Sequence, residues 1–459
     1  MTLLRAFLDI VQDWQSVFPQ KRTYLRAVRQ AIGSLTCLGR RTLSRIIWAN
    51  GGQHRSWGAE YFLHSRCRWD PQQLFAPIFE RALAWCPGPY VGVAVDDTRL
   101  HKTGRSIVQA FFQRDPLSPP FHVNLMFGLR FLQGSLLVPL HRRSAVSTRA
   151  VPIRFEPAPC VKHPGRKASA AEWKNYRIAA RQKNLSQQFV GMMTKLRQAL
   201  DAAGGGLKTL MLAVDGSFCN QTVFKSVVKG VEIIARVRKD AVLCFAAAAG
   251  SRRFYDTNKF TPDEVRQDPK VDWHNTRIFY GGTKRPVRYK ILPHVLWQGG
   301  ARRRKLRLLV IAPTPYRKRK SGRFYYRQPA YLLVTDFKAR PHTLLQIYFD
   351  RWQIEVNHRE EKDTLGVGQA QLWNTVSVPK QPVLAVASYS ALLLASLLAF
   401  GEARSAAYAE LPKWRKNAKR PSCLDLVTLL RKEVTESPNQ LAALDLNPSS
   451  DGLVSGAAA

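Results

Sequence analysis

The sequence predicts an α/β fold with a helical N-terminal segment, and three observations lead to that class. Apolar residues recur at helical spacing through residues 1–88, as in Leu3, Phe7 and Ile10. Two short apolar runs, residues 91–95 and 210–214, have the composition of buried strands, and an aspartate follows each. Residues 225–338 then alternate β-prone runs with basic clusters, and a helical segment begins near Thr343.

The chain is strongly basic. Its 459 residues include 71 Lys and Arg against 32 Asp and Glu, a formal net charge of +39. A field of that sign attracts polyanions, so we expect a nucleic acid as partner, rather than a membrane or a small-molecule substrate. The 45% hydrophobic content is enough for a sizeable core and argues against wholesale disorder.

Cysteine spacing and one long apolar run exclude two other classes of protein. The seven cysteines are scattered and form no C-x-x-C pair, which argues against structural zinc and fits reduced thiols in a cytosol. Residues 383–400 are apolar enough to suggest a membrane span. Ser388, Ser390 and Ser396 interrupt the run, so we predict a buried core helix instead.

The N-terminal segment, residues 1–88, contains one stretch with DNA-binding character. Residues 39–45 read Gly-Arg-Arg-Thr-Leu-Ser-Arg, a glycine turn followed by a helix that opens with basic and hydroxyl residues. This order resembles the entry to a helix-turn-helix unit. We therefore expect Arg40, Arg41 and Arg45 to contact DNA, although many surface helices have the same composition. The breaker Pro87-Gly88-Pro89 ends the segment.

Between the two aspartate strands, the sequence predicts a β-hairpin, a loop and a helix. Two β-prone runs, residues 121–131 and 133–140, flank a turn-like Leu132-Gln133-Gly134. Residues 143–170 are rich in Pro, Arg and Lys and are predicted to be a loop. Residues 171–203 have helical character as far as a run of three glycines.

Asp96 and Asp215 are the residues that follow the two predicted strands. A carboxylate at the end of a buried strand is costly unless it is paired or binds a metal. Two such strands with a hairpin and a helix between them predict a ribonuclease-H-like layout, in which the carboxylates hold divalent metal for phosphoryl transfer. Hard oxygen ligands favour Mg²⁺, with Mn²⁺ as a substitute. Either aspartate alone could equally cap a turn.

A third acidic position lies in the helical segment that begins near Thr343. Tyr348, Arg351, Glu355 and Lys362 are spaced by three, four and seven residues. At ~100° per residue they project within a ~60° stripe of a regular helix. A stripe with one carboxylate, two cations and a phenol suits a metal ligand flanked by phosphate contacts, while a solvated face with ion pairing is the alternative.

The spacing Y-x₂-R-x₃-E-x₆-K over these four residues resembles the signature of bacterial insertion-sequence transposases in the large group called insertion-sequence family four. Four further strings are most similar to its 701-type branch: Asp96-Asp97-Thr98, Lys162-His163-Pro164-Gly165-Arg166-Lys167, Asp215-Gly216-Ser217-Phe218 and Gly366-Val367-Gly368-Gln369-Ala370-Gln371. The resemblance extends from about residue 35 to residue 400.

The resemblance implies a DDE transposase that cleaves transposon ends and transfers the freed 3′-hydroxyl into target DNA. It implies a catalytic triad of Asp96, Asp215 and Glu355 that holds two Mg²⁺ ions. Tyr348, Arg351 and Lys362 would grip phosphates. It also implies a homodimer on paired ends, in the bacterial cytoplasm near the nucleoid.

The expected domains follow from the same resemblance. A helical DNA-binding domain (1–88) precedes a ribonuclease-H-like core in two parts (89–224 and 339–405), and a β-rich insertion (225–338) separates the parts. Residues 406–459 form a C-terminal region with a disordered tail. In related proteins a tryptophan of the insertion can hold a flipped base, so we consider Trp297 and Trp273 for base stacking, with core packing as the alternative.

Two further alternatives remain at this stage. Asp97 is the alternative first acid, because neighbours on a strand point to opposite faces and only one can face the metal. The family pattern favours Asp96. The chain could also be a ribonuclease-H-like nuclease without transposition, or a transposase-derived DNA-binding protein without activity.

Overall fold

A computed structural model describes residues 1–54, 56–115, 118–119, 121–140, 148–319, 321–401, 414, 420–437, 439, 441 and 444. The helices are α1 Leu3–Gln12, α2 Lys21–Thr36, α3 Leu43–Ala49, α4 Gly58–Ser65, α5 Phe75–Leu83, α6 Ala170–Gln182, α7 Leu185–Ala202, α8 Gln221–Lys225, α9 Pro262–Gln267, α10 Gln298–Ala301, α11 Pro341–Asp350, α12 Trp352–Arg359, α13 Ser377–Phe400 and α14 Cys423–Glu436. The strands are β1 Tyr90–His101, β2 Phe111–Arg114, β3 Leu125–Pro139, β4 Thr148–Pro157, β5 Thr209–Val214, β6 Val231–Val237, β7 Leu243–Ala246, β8 Tyr255–Phe260, β9 His274–Tyr280, β10 Thr283–Leu296, β11 Lys305–Ile311, β12 Pro315–Arg317, β13 Phe324–Tyr326 and β14 Ala330–Val334.

One large mixed sheet organises the described part of the chain. Its central path runs β2-β3-β1-β5-β6-β14-β11-β10-β7-β8, with β4 paired to β3 and β9 paired to β10. Strands β1, β5 and β6 are parallel to one another, while β3 is antiparallel to both β1 and β4. Helices cover the sheet, and this arrangement is consistent with a ribonuclease-H-like nuclease fold.

The first half of the sheet differs from the sequence prediction in two places. The predicted hairpin at 121–140 is wrong, because β3 is one continuous strand through Gly134. Gly134 lies within this strand, against Leu196 of α7, and makes no turn. The predicted loop at 143–170 contains β4, which pairs with β3 through a register shift beside Gly134. Residues 141–147 lie outside the described chain.

Strand β1 is also longer than predicted. It continues five residues past Asp96, to His101, because the outer part of β3 pairs with it as far as Gly128. Asp96 therefore lies within β1, at the point where its parallel partner β5 has ended. The predicted helix at 171–203 is present as α6 and α7, with a break at residues 183–184.

Residues 225–338 contain β-strands, as predicted, but these strands extend the core sheet. Strand β6 pairs in parallel with β5 and belongs to the core, and β14 pairs antiparallel with β6. Strands β11 and β10 follow along the same sheet. The predicted boundary at 225 therefore falls inside the core, because β6 supplies its fifth strand.

The N-terminal helices do not have a hydrophobic core of their own. Helices α1, α2 and α5 pack against α13, and their apolar residues join one cluster with those of the central strands. Helix α14 completes this layer, where the Glu433 carboxylate accepts hydrogen bonds from the backbone N–H groups of Leu3 and Leu4 at 3.2 and 2.6 Å. Residue 88 therefore marks a change from helices to strands within one core.

Helix α13 is the apolar run that predicted a core helix. By length and composition it could cross a membrane, but 83% of its most apolar stretch is buried inside the protein. Tyr389 is fully buried at its centre and donates to Glu360, beside the helix that carries Glu355. The helix thus supports the functional end of the sheet from within.

We predict that Gly128→Ala destabilises the protein by about 1–3 kcal/mol, because an added methyl group would lie 2.4 Å from the backbone oxygen of Leu100. Urea unfolding at neutral pH measures the difference. Gly134→Ala in the same strand is the matched control, since its methyl group would meet only Leu196 and Arg154 side chains at 3.5 Å or more. Equal stability of the two variants would contradict this packing.

Candidate active site

Parallel pairing brings Asp96 and Asp215 to the same edge of the sheet. Val95 of β1 is paired with Val214 of β5. The residues that follow them, Asp96 and Asp215, therefore lie at the same level of the sheet. The two carboxylates are close enough for Asp215 to perturb the ionisation of Asp96. Asp215 is held by its own turn, in which the Ser217 N–H and hydroxyl donate to Oδ1 at 2.9 and 2.6 Å.

Helix α12 and the residue before it bring the third acid to this edge. The Arg351 guanidinium lies 3.7 Å from Oδ2 of Asp96 and 3.6 Å from Oε1 of Glu355. Asp96 and Arg351 side chains are each 15% exposed, whereas the Glu355 side chain is 40% exposed. One buried cation thus lies between two of the carboxylates, and the third, Asp215, adjoins them.

The surroundings of Asp96 disfavour its charged form. Burial, as the largest cause, and the negative charges of Asp215, Asp97 and Glu355 together raise the pKa of Asp96 to about 7, while Arg351 opposes the shift. The carboxyl is thus buried beside acidic neighbours whose charge one arginine does not fully offset. Such a site has an affinity for additional positive charge.

A cavity of about 940 Å³ opens directly above these residues. Asp215, Arg351 and Glu355 contribute to its wall, and Asp96 lies 3.7 Å from the guanidinium of Arg351. Basic side chains from β6, its following loop and α9 form much of the remaining lining, namely Arg236, Arg238, Lys239 and Arg266. A cleft with acids at its base and cations along its wall suits a phosphodiester whose reacting group approaches a metal.

The donor set fits a divalent metal ion in chemistry and charge. Asp96, Asp215 and Glu355 offer only carboxylate oxygens, which Mg²⁺ and Mn²⁺ prefer over softer metals. Among the described residues, no three acidic, histidine or cysteine side chains converge as a ready ligand set. Asp215 and Glu355 nevertheless both lie close enough to Asp96 to act on its ionisation, since their charges add to burial in raising the pKa of Asp96.

Three of the four residues of the predicted helix stripe line the cavity. Tyr348, Arg351 and Glu355 do so, although α11 and α12 are separate helices that join at Arg351. Burial raises the pKa of the Tyr348 phenol, while the charges of Arg236 and Arg351 lower it.

Lys362 is the exception, because it is not among the residues that line the cavity. Residues 360–364 form a π turn, which widens the helix and rotates later residues away from the 100° spacing that the prediction assumed. Burial lowers the pKa of Lys362, and the charges that act on it belong to Glu361, Arg99, Asp363 and Asp97. Lys362 therefore lies apart from the other three residues of the stripe.

The neighbouring acids lie elsewhere. Asp97 points to the other face of β1, where its carboxylate is 3.5 Å from Arg99. Asp350 accepts hydrogen bonds from Thr148 and Gln346, at 2.8 and 3.1 Å, and does not line the cavity. Glu361 is buried, with 1% exposure. Asp96 is thus the member of the 96–97 pair that faces the other two acids.

The two tryptophans proposed for base stacking contact protein groups. Trp297 packs edge-on against Phe224, with ring centroids 5.6 Å apart, and fills the space beside Gly300. The Trp273 ring lies under Arg288 and Lys290, at 5.2 and 4.9 Å. Neither lines the cavity, so in this conformation both have the packing role that was the alternative.

The three N-terminal arginines have different surroundings. Arg40 is exposed. Arg41 is half-buried: its backbone N–H donates to Gln369 Oε1 at 3.0 Å, and its guanidinium donates to Gly39 O at 2.6 Å. Arg45 lies beside Gly39, whose positive φ of 67° makes the predicted glycine turn before α3. Arg41 thus joins the N-terminal helices to the loop at 366–371.

Comparison with known protein families decides the class. A model described as DDE superfamily endonuclease matches residues 16–304. The chain belongs to this family. No curated protein matches the chain. DDE endonucleases act on DNA with divalent metal ions. The matched region contains Asp96 and Asp215 and ends before the helix that carries Glu355, so Glu355 as the third acid stays a prediction.

The sequence analysis missed the basic wall of this endonuclease site. Arg236 follows Ala235, which is paired with Val214, so Arg236 and Asp215 lie side by side at the ends of parallel strands. Arg266 donates to Asp263 at 2.8 Å, and Tyr331 donates to the same carboxylate, which holds the pKa of Asp263 well below its usual range. The strand spacing contained the signal for Arg236, but only the register between strands reveals it.

We predict that Asp96→Asn stabilises the metal-free endonuclease at pH 8. The folded pKa of about 7 exceeds the ordinary 3.8, so the stability that protonated Asp96 provides is complete below about pH 4 and is lost as the pH rises through 7. Ionising this carboxyl costs up to about 4 kcal/mol. Thermal unfolding in chelator should therefore give a higher Tm for the variant at pH 8 and a smaller difference at pH 5.

Added Mg²⁺ should raise the Tm of the wild type at pH 8 and have little effect on Asp96→Asn. Asp97→Asn, one residue away on the opposite face, is the control and should respond to Mg²⁺ like the wild type. A variant that is less stable than the wild type at pH 8 without metal would contradict the electrostatic strain assigned to Asp96.

Proposed function

We propose that this DDE endonuclease is a transposase of a bacterial insertion sequence, which cuts the ends of its element and joins the freed 3′-hydroxyl to target DNA. The observation that carries the proposal is the meeting of Asp96, Asp215 and Glu355 at one sheet edge, below a cavity with a cationic wall. The Y-R-E-K spacing supports membership of insertion-sequence family four, 701-type branch, because three of its four residues share this cavity.

The acidic base of the cavity and its basic wall have separate tasks in this reaction. Asp96, Asp215 and Glu355 would hold Mg²⁺, two ions in our proposal, which supply Lewis-acid activation of the attacking oxygen and stabilise the leaving oxygen. Arg236, Arg238 and Lys239 are exposed in the wall and can bind backbone phosphates on either side of the reacting one. Arg351 neutralises part of the acidic charge, and the phenol of Tyr348 can donate to a phosphate oxygen.

Positioning of the DNA ends would use further surfaces. We propose that the helices of residues 1–88 contact the ends, with Arg40 and Arg45 as phosphate ligands and Arg41 in a structural role. Transposition also requires two ends in one complex, so we propose a homodimer on paired ends, in the bacterial cytoplasm near the nucleoid.

The alternatives predict different products. A simple ribonuclease-H-like nuclease would cleave DNA without joining it, and a transposase-derived binding protein would do neither. All three acids are present, and Asp215 and Glu355 lie close enough to Asp96 to act on its ionisation, which disfavours the second alternative. The deciding experiment is cleavage and strand transfer on DNA that carries the gene's own flanking ends, with the wild type against Glu355→Ala. Cleavage without joined product would favour the nuclease.

We predict that Asp96→Ala, Asp215→Ala and Glu355→Ala each reduce Mg²⁺-dependent cleavage more than about 100-fold, since removing a group that only orients a metal ligand already costs 10–100-fold. DNA binding, measured by fluorescence anisotropy, should persist. Asp97→Ala is the matched control and should retain most of the activity. Full cleavage by any one of the three purified variants would remove that residue from the site.

The two cations of the Y-R-E-K spacing should behave differently. We predict that Arg351→Ala weakens binding of end DNA and lowers the slope of log K against log salt by about 0.9, the value for one phosphate contact. Lys362→Ala should leave the slope unchanged, because Lys362 is half-buried and does not line the cavity. Equal loss of slope in both variants would show that Lys362 reaches the DNA after all.

A further inference from the structure

A two-stranded ribbon separate from the main sheet lies beside the active-site cavity. It comprises β12 and β13 with the described residues between them, 318–319 and 321–323, and we call it the basic ribbon. The Arg327 N–H closes its base on Thr314 O at 2.9 Å. Pro313, Gln328 and Pro329, which flank the ribbon, contribute to the wall of the cavity. The ribbon therefore emerges from the rim of the candidate active site.

The charge of the basic ribbon has one sign. Residues 315–327 contain six Lys and Arg and no Asp or Glu. Cations of the described residues stack over aromatic rings: Arg317 over Phe324 at 3.9 Å, Lys318 and Arg323 over Tyr325 at 4.8 and 4.9 Å, and Arg327 over Tyr316 at 5.8 Å. The rings hold these side chains in place, although no acid of this segment neutralises them.

Neither face of the basic ribbon enters the hydrophobic core. Its described residues belong to none of the core clusters, and Phe324 and Tyr326 are 54% and 66% exposed. An isolated two-stranded hairpin is marginally stable in water. Cation–π pairs, a cross-strand contact of Tyr316 with Tyr325 and a hydrogen bond from Arg323 Nε to the Tyr325 hydroxyl at 2.9 Å are among the side-chain contacts that support it. A partner would supply the missing burial.

We propose that the basic ribbon docks in a groove of duplex DNA and guides that duplex to the active-site cavity. The proposal rests on the proposed function, since it concerns the DNA on which that site would act. A two-stranded ribbon fits the major groove, which is about 12 Å wide. Its cations would contact phosphates, and its exposed rings would pack on the sugar edges of the groove.

Charge and location favour DNA over an anionic membrane as the occupant. A membrane-binding ribbon would be expected to have one apolar face and one basic face. Here aromatic and basic residues are mixed, because Lys318 and Arg323 stack over Tyr325 while Arg317 pairs with Phe324. The ribbon also begins and ends at residues that line the cavity of a DNA endonuclease.

The test compares two charge-matched variants in duplex binding. Lys318→Ala/Arg323→Ala removes two exposed cations of the ribbon. Lys195→Ala/Lys432→Ala removes two exposed cations from α7 and α14, which lie outside residues 1–88 and do not line the cavity. Anisotropy titrations with a random 30-base-pair duplex at several salt concentrations give the slope for each protein. Tm values verify that both variants remain folded.

We expect the ribbon variant to lower the salt slope by about two, near 0.9 for each lost phosphate contact, and the control to match the wild type. An unchanged slope in the ribbon variant would overturn the inference. So would a variant that keeps its DNA slope but loses binding to phosphatidylglycerol vesicles, since that result assigns the ribbon to membranes.

The same proteins separate this inference from the proposed function. If Glu355→Ala cleaves the gene's flanking ends as well as the wild type while the ribbon variant loses its slope, the catalytic proposal fails and the ribbon inference stands. If Glu355→Ala is inactive and the ribbon variant binds like the wild type, the ribbon inference alone fails.

Discussion

The parallel pairing of β1 with β5 is the constraint on which the site depends. Because Val95 and Val214 are partners, two aspartates follow at the same level of the sheet, and neither can move without a register change. A shift by one residue would turn Asp96 to the opposite face and bring Asp97 in its place. The same edge continues to Arg236 through the pairing of Val214 with Ala235, so the position of Arg236 is set by the same ladder.

The buried negative charge at this edge lowers the stability of the folded protein. Burial and three acidic neighbours raise the pKa of Asp96 to about 7, and Arg351 compensates only part of that charge. The fold accommodates the cost because the rest of β1 and β5 is deeply buried, with Val93, Ala94, Val95 and Val214 fully covered. Incompletely neutralised negative charge on a rigid sheet favours the binding of a cation there.

Helices α11 and α12 add the helical part of the site, which includes Tyr348 and Glu355. Their junction at Arg351 and the π turn at 360–364 interrupt what the sequence presents as one helix. Behind them, Asn357 donates to Ala150 O and to the Tyr389 hydroxyl, each at 3.0 Å, and so attaches α12 to β4 and to the buried helix α13. The position of Glu355 thus depends on packing contacts from well outside the cavity.

Strand and helix periodicity in the sequence predicted those parts of the site that lie within single strands and helices. The strand-end aspartates and the spacing from Tyr348 to Glu355 follow from strand and helix periodicity, and the structure brings these residues together. Lys362 lies apart from these residues because a π turn, which has no clear signal in residue spacing, interrupts the helix. The hairpin prediction failed because Gly134 permits close packing on Leu196 rather than a turn. Arg236 and the extension of the core sheet through β14 depend on pairing between distant strands, which a single sequence does not specify.

The most direct test of the account is the location of bound Mn²⁺ in crystals of the wild-type protein at pH 8, from its anomalous scattering. The account predicts anomalous density bounded by the carboxylates of Asp96, Asp215 and Glu355, and its loss in crystals of Glu355→Gln. Density at another group of acids, or a site from which Glu355 is absent, would contradict the assignment of these three residues to one metal centre.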